Sequence, residues 1–275
     1  MRSSSLSVFT LLRICLAGFF VVLQGCGNLT DITKEWSVEK IYQEAKDELN
    51  NGGYDKAITY FEKLETRAIG TPLGQQAQVE KAFAQYRTGS PAEAIATIDR
   101  FTRLHPASPL VDYALYLRGL CNFNGDLGFL SGFTGQKLDD RDQKAAKESY
   151  STFADLSRRF PDSKYTPDAK LRMAYILNTL AAYEIHVARY YAGRGAHLAA
   201  ANRAQLALSD YPNSPVIEEA LSILITSYEA LGSTQLRDDA KRVMGLNFPK
   251  NKLGMPPATA SNAASTATTN PTQKP

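Results

Sequence analysis

Apolar and small residues recur at helical spacing along most of the chain, and they keep a fixed distance from three similar stops. The stops are Pro106-Ala107-Ser108, Pro161-Asp162-Ser163 and Pro212-Asn213-Ser214, each following a helix-like segment that ends in His105, Phe160 or Tyr211. Five, eight and twelve places before the prolines stand Phe101, Ile98 and Ala94, then Leu156, Phe153 and Ser149, then Ala207, Ala204 and Ala200. Eight places after them stand Ala114, Ala169 and Ala220. Residues three, four and seven apart share one face of an α-helix. Two antiparallel helices approach closely only where a small side chain replaces a bulky one, with larger apolar residues filling the space beside the crossing. The register therefore predicts helical hairpins that cross at these small residues. The proline ends the second helix of each pair, and the serine after it is expected to cap the next helix.

An earlier pair follows more loosely, with Ala57, Phe61 and Leu64 matching Ala94, Ile98 and Phe101 at a period of 37, and Gly52 matching Gly89 in the turn. A last pair, around Ala220 to Tyr228 and Ala240 to Met244, lacks a good proline stop, as closing repeats often do. The pattern predicts five helix pairs, at 38–70, 71–106, 108–161, 164–212 and 214–249, within an array spanning 38–250, and no segment reads as a strand. Its small-residue, aromatic and late-proline spacing resembles the tetratricopeptide repeat, which implies an all-α solenoid. The third pair is interrupted near 124–138, where Gly125, Gly128, Gly132 and Gly135 alternate with Phe129, Leu130 and Phe133. In the fourth, helical spacing runs from Thr166 to about Tyr191 without a breaker, predicting a helix on the order of 39 Å that projects beyond its neighbours. From 251 to 275 the chain turns to Pro, Ala, Thr, Ser and Asn, and no packed structure is expected there.

The amino terminus changes the picture. Arg2 and Arg13 precede the apolar run Ile14 to Leu23, about the length of an export signal's hydrophobic region and too short to span a bilayer. The run ends in Leu23-Gln24-Gly25-Cys26, which resembles a bacterial lipobox. That implies removal of residues 1–25, acylation of Cys26 and a tether over 26–37. Several acyl chains, each methylene contributing about 0.8 kcal/mol, anchor a protein stably where one does not. By resemblance to Gram-negative lipoproteins, Gly27 in place of an Asp permits transport to the outer membrane. Removing the signal takes two arginines and no acid, leaving 29 basic against 28 acidic residues. So even a balance, without like-charge clusters, gives no footprint for nucleic acid.

Candidate chemistry is sparse. Cys121 would remain without an intramolecular partner in the mature chain, and its helical spacing from Leu117 and Leu120 favours a buried thiol over a nucleophile. His105, His186 and His197 are scattered, and neither the Asp139-Asp140-Arg141-Asp142 run nor any other segment has the spacing of a metal or phosphate site. No catalytic triad motif or cofactor motif appears, so the expectation is a binding protein without enzymatic activity or cofactor. Stacked helix pairs expose a concave face suited to an extended or helical peptide. Tyr42, Tyr54, Tyr60, Tyr86, Tyr113, Tyr116 and Tyr183 are candidate contacts.

Several strings carry a more specific resemblance. Ile98-Asp99-Arg100-Phe101-Thr102-Arg103-Leu104-His105-Pro106, Asp112-Tyr113-Ala114-Leu115-Tyr116-Leu117-Arg118-Gly119-Leu120, Arg159-Phe160-Pro161-Asp162-Ser163-Lys164-Tyr165 and Val187-Ala188-Arg189-Tyr190-Tyr191 resemble the BamD (ComL) family, lipoproteins of the outer-membrane β-barrel assembly machinery. The resemblance spans about 36–248. It implies attachment to the periplasmic face of the outer membrane, with N-terminal repeats receiving unfolded barrel substrates and C-terminal repeats gripping the POTRA domains of BamA, alongside other lipoproteins of the complex. The second task is assigned here to the turn Gly193-Arg194-Gly195 with Tyr190, because a guanidinium on a tight turn can reach a partner carboxylate bidentately. The substrate groove is assigned to Tyr42, Tyr60 and Tyr86. The competing expectation is a repeat lipoprotein that coordinates peptidoglycan synthesis or cell division.

Overall fold

A computed structural model describes residues 32–123 and 140–254. The expected signal over 1–25, Cys26, the glycine-rich insert and the chain beyond 254 lie outside the described residues. Those described hold ten α-helices in five pairs and no strand: α1 (Val38–Asn50) with α2 (Tyr54–Arg67), α3 (Pro72–Arg87) with α4 (Pro91–Leu104), and α5 (Val111–Asn122) with α6 (Asp140–Arg159). The fourth pair is α7 (Thr166–Gly193) with α8 (His197–Asp210), the fifth α9 (Ile217–Ala230) with α10 (Thr234–Asn247). The fold is all-α and of the tetratricopeptide kind. No described helix is long and apolar enough to cross a membrane.

The residues fall into two compact units, one ending at Ala77 and the other beginning at Gln78, so that the boundary lies within α3. In the first unit α1 and α2 bury Ile41, Ala45 and Leu49 against Ala57, Phe61 and Leu64. The Ser37 hydroxyl caps α1 by accepting the Lys40 N–H at 3.2 Å. Ahead of the helix the chain is clasped. The Arg67 guanidinium donates to Thr33 O at 2.7 Å, Thr33 Oγ1 at 3.3 Å and Trp36 O at 3.2 Å.

In the second unit two apolar clusters follow one another. One runs from Val79 to Leu180 and includes Phe101, Leu117, Phe153 and Leu156, and the other runs from Ile185 to Met244 and is dominated by Ala200, Ala201, Ala204, Ala207 and Ala220. All twelve positions counted from the three prolines are buried, Ser149 among them. Ser149 earns its place by donating to Gly119 O at 2.9 Å across the α5–α6 crossing. Gly119 is indispensable there, since a Cβ would stand 2.3 Å from Phe153 Cε1.

The turns inside the pairs share one geometry. Gly52, Gly89, Gly195 and Gly232 have φ between 68° and 81°. At each, the glycine N–H reaches back three residues and the next N–H five, as Gly195 to Ala192 O and Ala196 to Tyr191 O, both 3.0 Å. This is the Schellman closure, whose left-handed residue is free of steric cost only as glycine.

The links between pairs correct two expectations. Ser108, Ser163 and Ser214 are not helix caps; Leu110, Tyr165 and Val216 occupy those places. Each serine N–H instead closes a turn around the proline, to His105 O, Phe160 O or Tyr211 O, and its carbonyl opens a second turn to Val111, Thr166 or Ile217 N–H. Two successive turns separate the helices, so the hydroxyl sits too early to cap. Ser108 Oγ accepts from Leu110 N–H at 3.4 Å and Ser163 Oγ from Tyr165 N–H at 3.3 Å. The fifth pair does have a proline stop. Phe248, at φ −132° and ψ 66°, takes up the same backbone as His105 and Tyr211 before their prolines. Asn251 then replaces the serine, its N–H bonding Phe248 O at 2.9 Å and its Oδ1 accepting from Leu253 N–H at 3.0 Å.

Candidate partner-binding sites

Helix α7 has 28 residues, about 42 Å at 1.5 Å per residue, and is twice the length of α8, α9 and α10. Its later half is braced by ion pairs. Arg203 Nη1 lies 3.0 Å from Glu184 Oε2 and Arg189 Nε 2.5 Å from Glu219 Oε1, linking α7 to α8 and α9. Small buried side chains, Ala188 on α7 and Ala200, Ala204 and Ala207 on α8, line the core beneath that half. The turn is thereby carried on a stiff stem.

At the end of this stem the predicted residues divide. Gly193 closes α7 and would tolerate a Cβ, with nothing within 4 Å, whereas Gly195 alone carries the left-handed turn. Arg194 lies between them as an exposed helix cap, its guanidinium 4.6 Å from the centroid of the Tyr190 ring. Tyr190 is 53% exposed and meets Tyr191 edge-on at 5.7 Å. Leu198, 63% exposed, is the second residue of α8. No carboxylate among the described residues pairs with Arg194. A cation held over an aromatic face keeps its N–H fork free while losing little entropy on binding, so it can accept a carboxylate in bidentate fashion beside an apolar contact. The structure thus brings Tyr190, Arg194 and Gly195 together and leaves Gly193 a neutral spacer.

The three groove tyrosines divide between the two units. Tyr42 and Tyr60 belong to the first unit and have separate partners: the Tyr42 hydroxyl accepts from Gln76 Nε2 at 2.7 Å, while Tyr60 packs on Trp36 at 5.8 Å. Tyr86 belongs to the second unit and packs against its larger-residue core.

A cluster the sequence did not disclose joins α5 to α7. Tyr116 stacks on Tyr165 at 4.9 Å and 19°, Tyr113 lies 5.2 Å from Tyr165, and the Tyr116 hydroxyl donates to Asp168 Oδ2 at 2.6 Å. Arg172 Nε donates to the same oxygen at 2.5 Å while its guanidinium covers Phe123 at 4.7 Å. Burial alone would raise the Asp168 carboxyl, but hydrogen bonds from Tyr116 and Arg172 and the arginine's charge outweigh it and hold its pKa low. Burial, reinforced by Tyr165 and Glu80, pushes the Tyr113 hydroxyl up to about 12. The spacing Tyr113, Tyr116 on one helical face was visible; Tyr165 and Asp168, about 50 residues away, were not.

Burial pushes the Cys121 thiol up to about 12, which removes its nucleophilic thiolate at neutral pH. Among the described residues no three His, Cys, Asp or Glu side chains converge. His105 packs on Phe101 at 5.4 Å, and His197 heads α8 with a buried Nδ1.

Residues 34–243 match the model of the family described as "Outer membrane lipoprotein" (YfiO). The outer membrane protein assembly factor BamD of Neisseria meningitidis serogroup A is 48% identical over 220 residues, which cover 80% of this chain and 82% of the relative. The proteins of that name from Xylella fastidiosa (strain Temecula1) and Vibrio cholerae are 36% and 33% identical, covering 90% and 82% of this chain and 85% and 94% of theirs. Among solved structures, the TPR2AB-domain:pHSP90-complex of yeast Sti1 resembles the chain at 11% identity and a TM-score of 0.44, covering 79% of this chain and 80% of that one.

Proposed function

The chain belongs to the BamD family of outer-membrane lipoproteins, and from that premise we propose that it is a non-catalytic scaffold of outer-membrane protein assembly, anchored to the periplasmic face of the outer membrane through acylated Cys26. In this reading residues 1–25 are removed, 26–37 form the tether, and the helix pairs over 38–250 do the binding. The N-terminal pairs receive unfolded β-barrel chains, with Tyr42, Tyr60 and Tyr86 as contacts. The C-terminal pairs hold the POTRA domains of BamA and neighbouring lipoproteins of the complex. A membrane-tethered frame that holds client and insertase together raises the effective concentration of each for the other.

The family match over 34–243, which takes in almost all the described helices, carries the role in assembly. Arg194 poised over Tyr190, on a turn at the end of the long α7, supports the place of the BamA contact. Depletion is expected to leave unfolded outer-membrane proteins accumulating in the periplasm, and normal barrel levels after depletion would overturn the assignment. For the site, Arg194→Glu is expected to abolish co-purification with BamA while leaving helicity and thermal midpoint unchanged, because a surface substitution moves stability by no more than about 0.5 kcal/mol. Undiminished BamA in the eluate would place the contact elsewhere. Recovery of a cell-wall synthase in place of BamA would favour the peptidoglycan scaffold.

A further inference from the structure

The edge of the first unit nearest the tether has an organisation that helix packing does not require. Thr33 is fully buried and held by the Arg67 guanidinium at both its carbonyl and its hydroxyl, with Trp36 O as a third acceptor. Trp36 lies on Tyr60 at 5.8 Å, with the Lys40 ammonium 4.6 Å from its ring. The tether is therefore gripped at Thr33, five residues before α1 begins. Two large aliphatic side chains adjoin the clasp in sequence and face solvent: Ile32, immediately before Thr33, is 64% exposed, and Ile69, two residues beyond Arg67, is 79% exposed.

Chain length limits where this edge can be. Six residue steps separate Cys26 from Ile32, a reach of at most about 20 Å when fully extended. Without the clasp the free tether would run to the start of α1 at Val38, about twice as many steps. Shortening a tether confines what it carries and raises its effective concentration at the surface. The charges beside the clasp are mixed, Lys34 and Lys40 with Glu35 and Glu39, so attraction to anionic headgroups is not what this edge offers. It offers aliphatic side chains and a half-buried tryptophan, side chains suited to the boundary between headgroups and acyl chains.

We propose that the edge of the first helix pair bearing Ile32, Ile69 and Trp36 rests in the interfacial layer of the membrane, held there by the short tether that the Arg67 clasp defines. This rests on the reading that Cys26 carries the acyl chains. The anchor and the edge then act as two membrane contacts, and the first helix pair is oriented by the bilayer instead of swinging on a leash.

Trp36 is the only tryptophan in the chain and reports on this edge directly. The full mature chain carrying Cys121→Ser is coupled through Cys26 to a maleimide lipid in phosphatidylethanolamine–phosphatidylglycerol vesicles that contain lipid brominated near the headgroup. The expected result is quenching and a blue shift of Trp36 emission, unchanged at high salt. Ile69→Asp, a fully surface substitution, is expected to lose both, and Arg67→Ala to lose them through the lengthened tether, with folding checked by circular dichroism. Unquenched Trp36 in the coupled parent, or quenching that Ile69→Asp leaves intact, overturns the proposal. Mass spectrometry of the protein from its own host separates the premise: an unmodified Cys26 there overturns the lipoprotein reading, whatever the coupled chain shows on vesicles.

Discussion

The third and fourth pairs solve the same packing problem with opposite materials. Where α5 crosses α6, Phe153 fills the space against Gly119, and Phe101, Leu117 and Leu156 complete a core of large side chains around one absent side chain. Where α8 meets α7 and α9, the interior is an alanine ladder, Ala200, Ala204 and Ala207 with Ala188 and Ala220, and the helices close on one another along its length. The first arrangement concentrates the stabilisation in a few rings. The second spreads it along close backbone contacts, which stiffens the stem that carries Arg194.

Substitutions can sharpen or break this contrast. The largest effect is expected from Phe153→Ala, which removes a fully buried ring and leaves a cavity beside Gly119, costing about 3–5 kcal/mol in denaturant unfolding. If the cost is under about 1 kcal/mol, the third pair is not organised around that ring. Overpacking comes next. Gly119→Leu and Ala204→Leu are each expected to cost about 1–3 kcal/mol, but with different companions. Gly119→Leu is expected to be partly rescued by Phe153→Leu, which frees the space it invades, whereas no single truncation is expected to rescue Ala204→Leu, because the alanines that share its cluster, Ala188, Ala200, Ala207 and Ala220, have no bulk left to give up. Rescue of both, or of neither, would erase the distinction.

At neutral pH the smallest effect is electrostatic, and it belongs to the third pair. Tyr113 is held protonated, its pKa raised from 10.0 to about 12, and Cys121 from 9.0 to about 12. A raised folded-state pKa contributes stability that is fully present below the unfolded value and is lost as pH rises through the folded one. Stability should therefore decline from pH 9 toward about 12, first on account of Cys121 and then of Tyr113. Tyr113→Phe combined with Cys121→Ala should flatten that decline in a pH series of unfolding midpoints. An unchanged slope would mean that neither group's burial survives in solution.

Much of this was legible beforehand. The twelve small or apolar positions counted from Pro106, Pro161 and Pro212 are all buried, because a helix crossing admits little else and a proline marks where each helix must end. The serines were misplaced by a turn, since the number of turns between two helices is a matter of how their ends meet. The site was less legible than the fold. Arg194 and Tyr190, four residues apart on one helix, could be paired from spacing alone. Tyr42, Tyr60 and Tyr86 could not be sorted, because whether a tyrosine is a contact or a core residue depends on what lies against it.

The chain's own text determined the helix pairs, their glycine turns and their proline stops, because each depends on backbone sterics within a few residues. Only tertiary structure decided that Tyr116 would meet Tyr165 and Asp168, that Arg67 would reach back 34 residues to Thr33, and that Arg194 would face solvent over a ring with no acid among the described residues to neutralise it. Those are meetings of side chains from distant segments, and their energies depend on distances that no local pattern records.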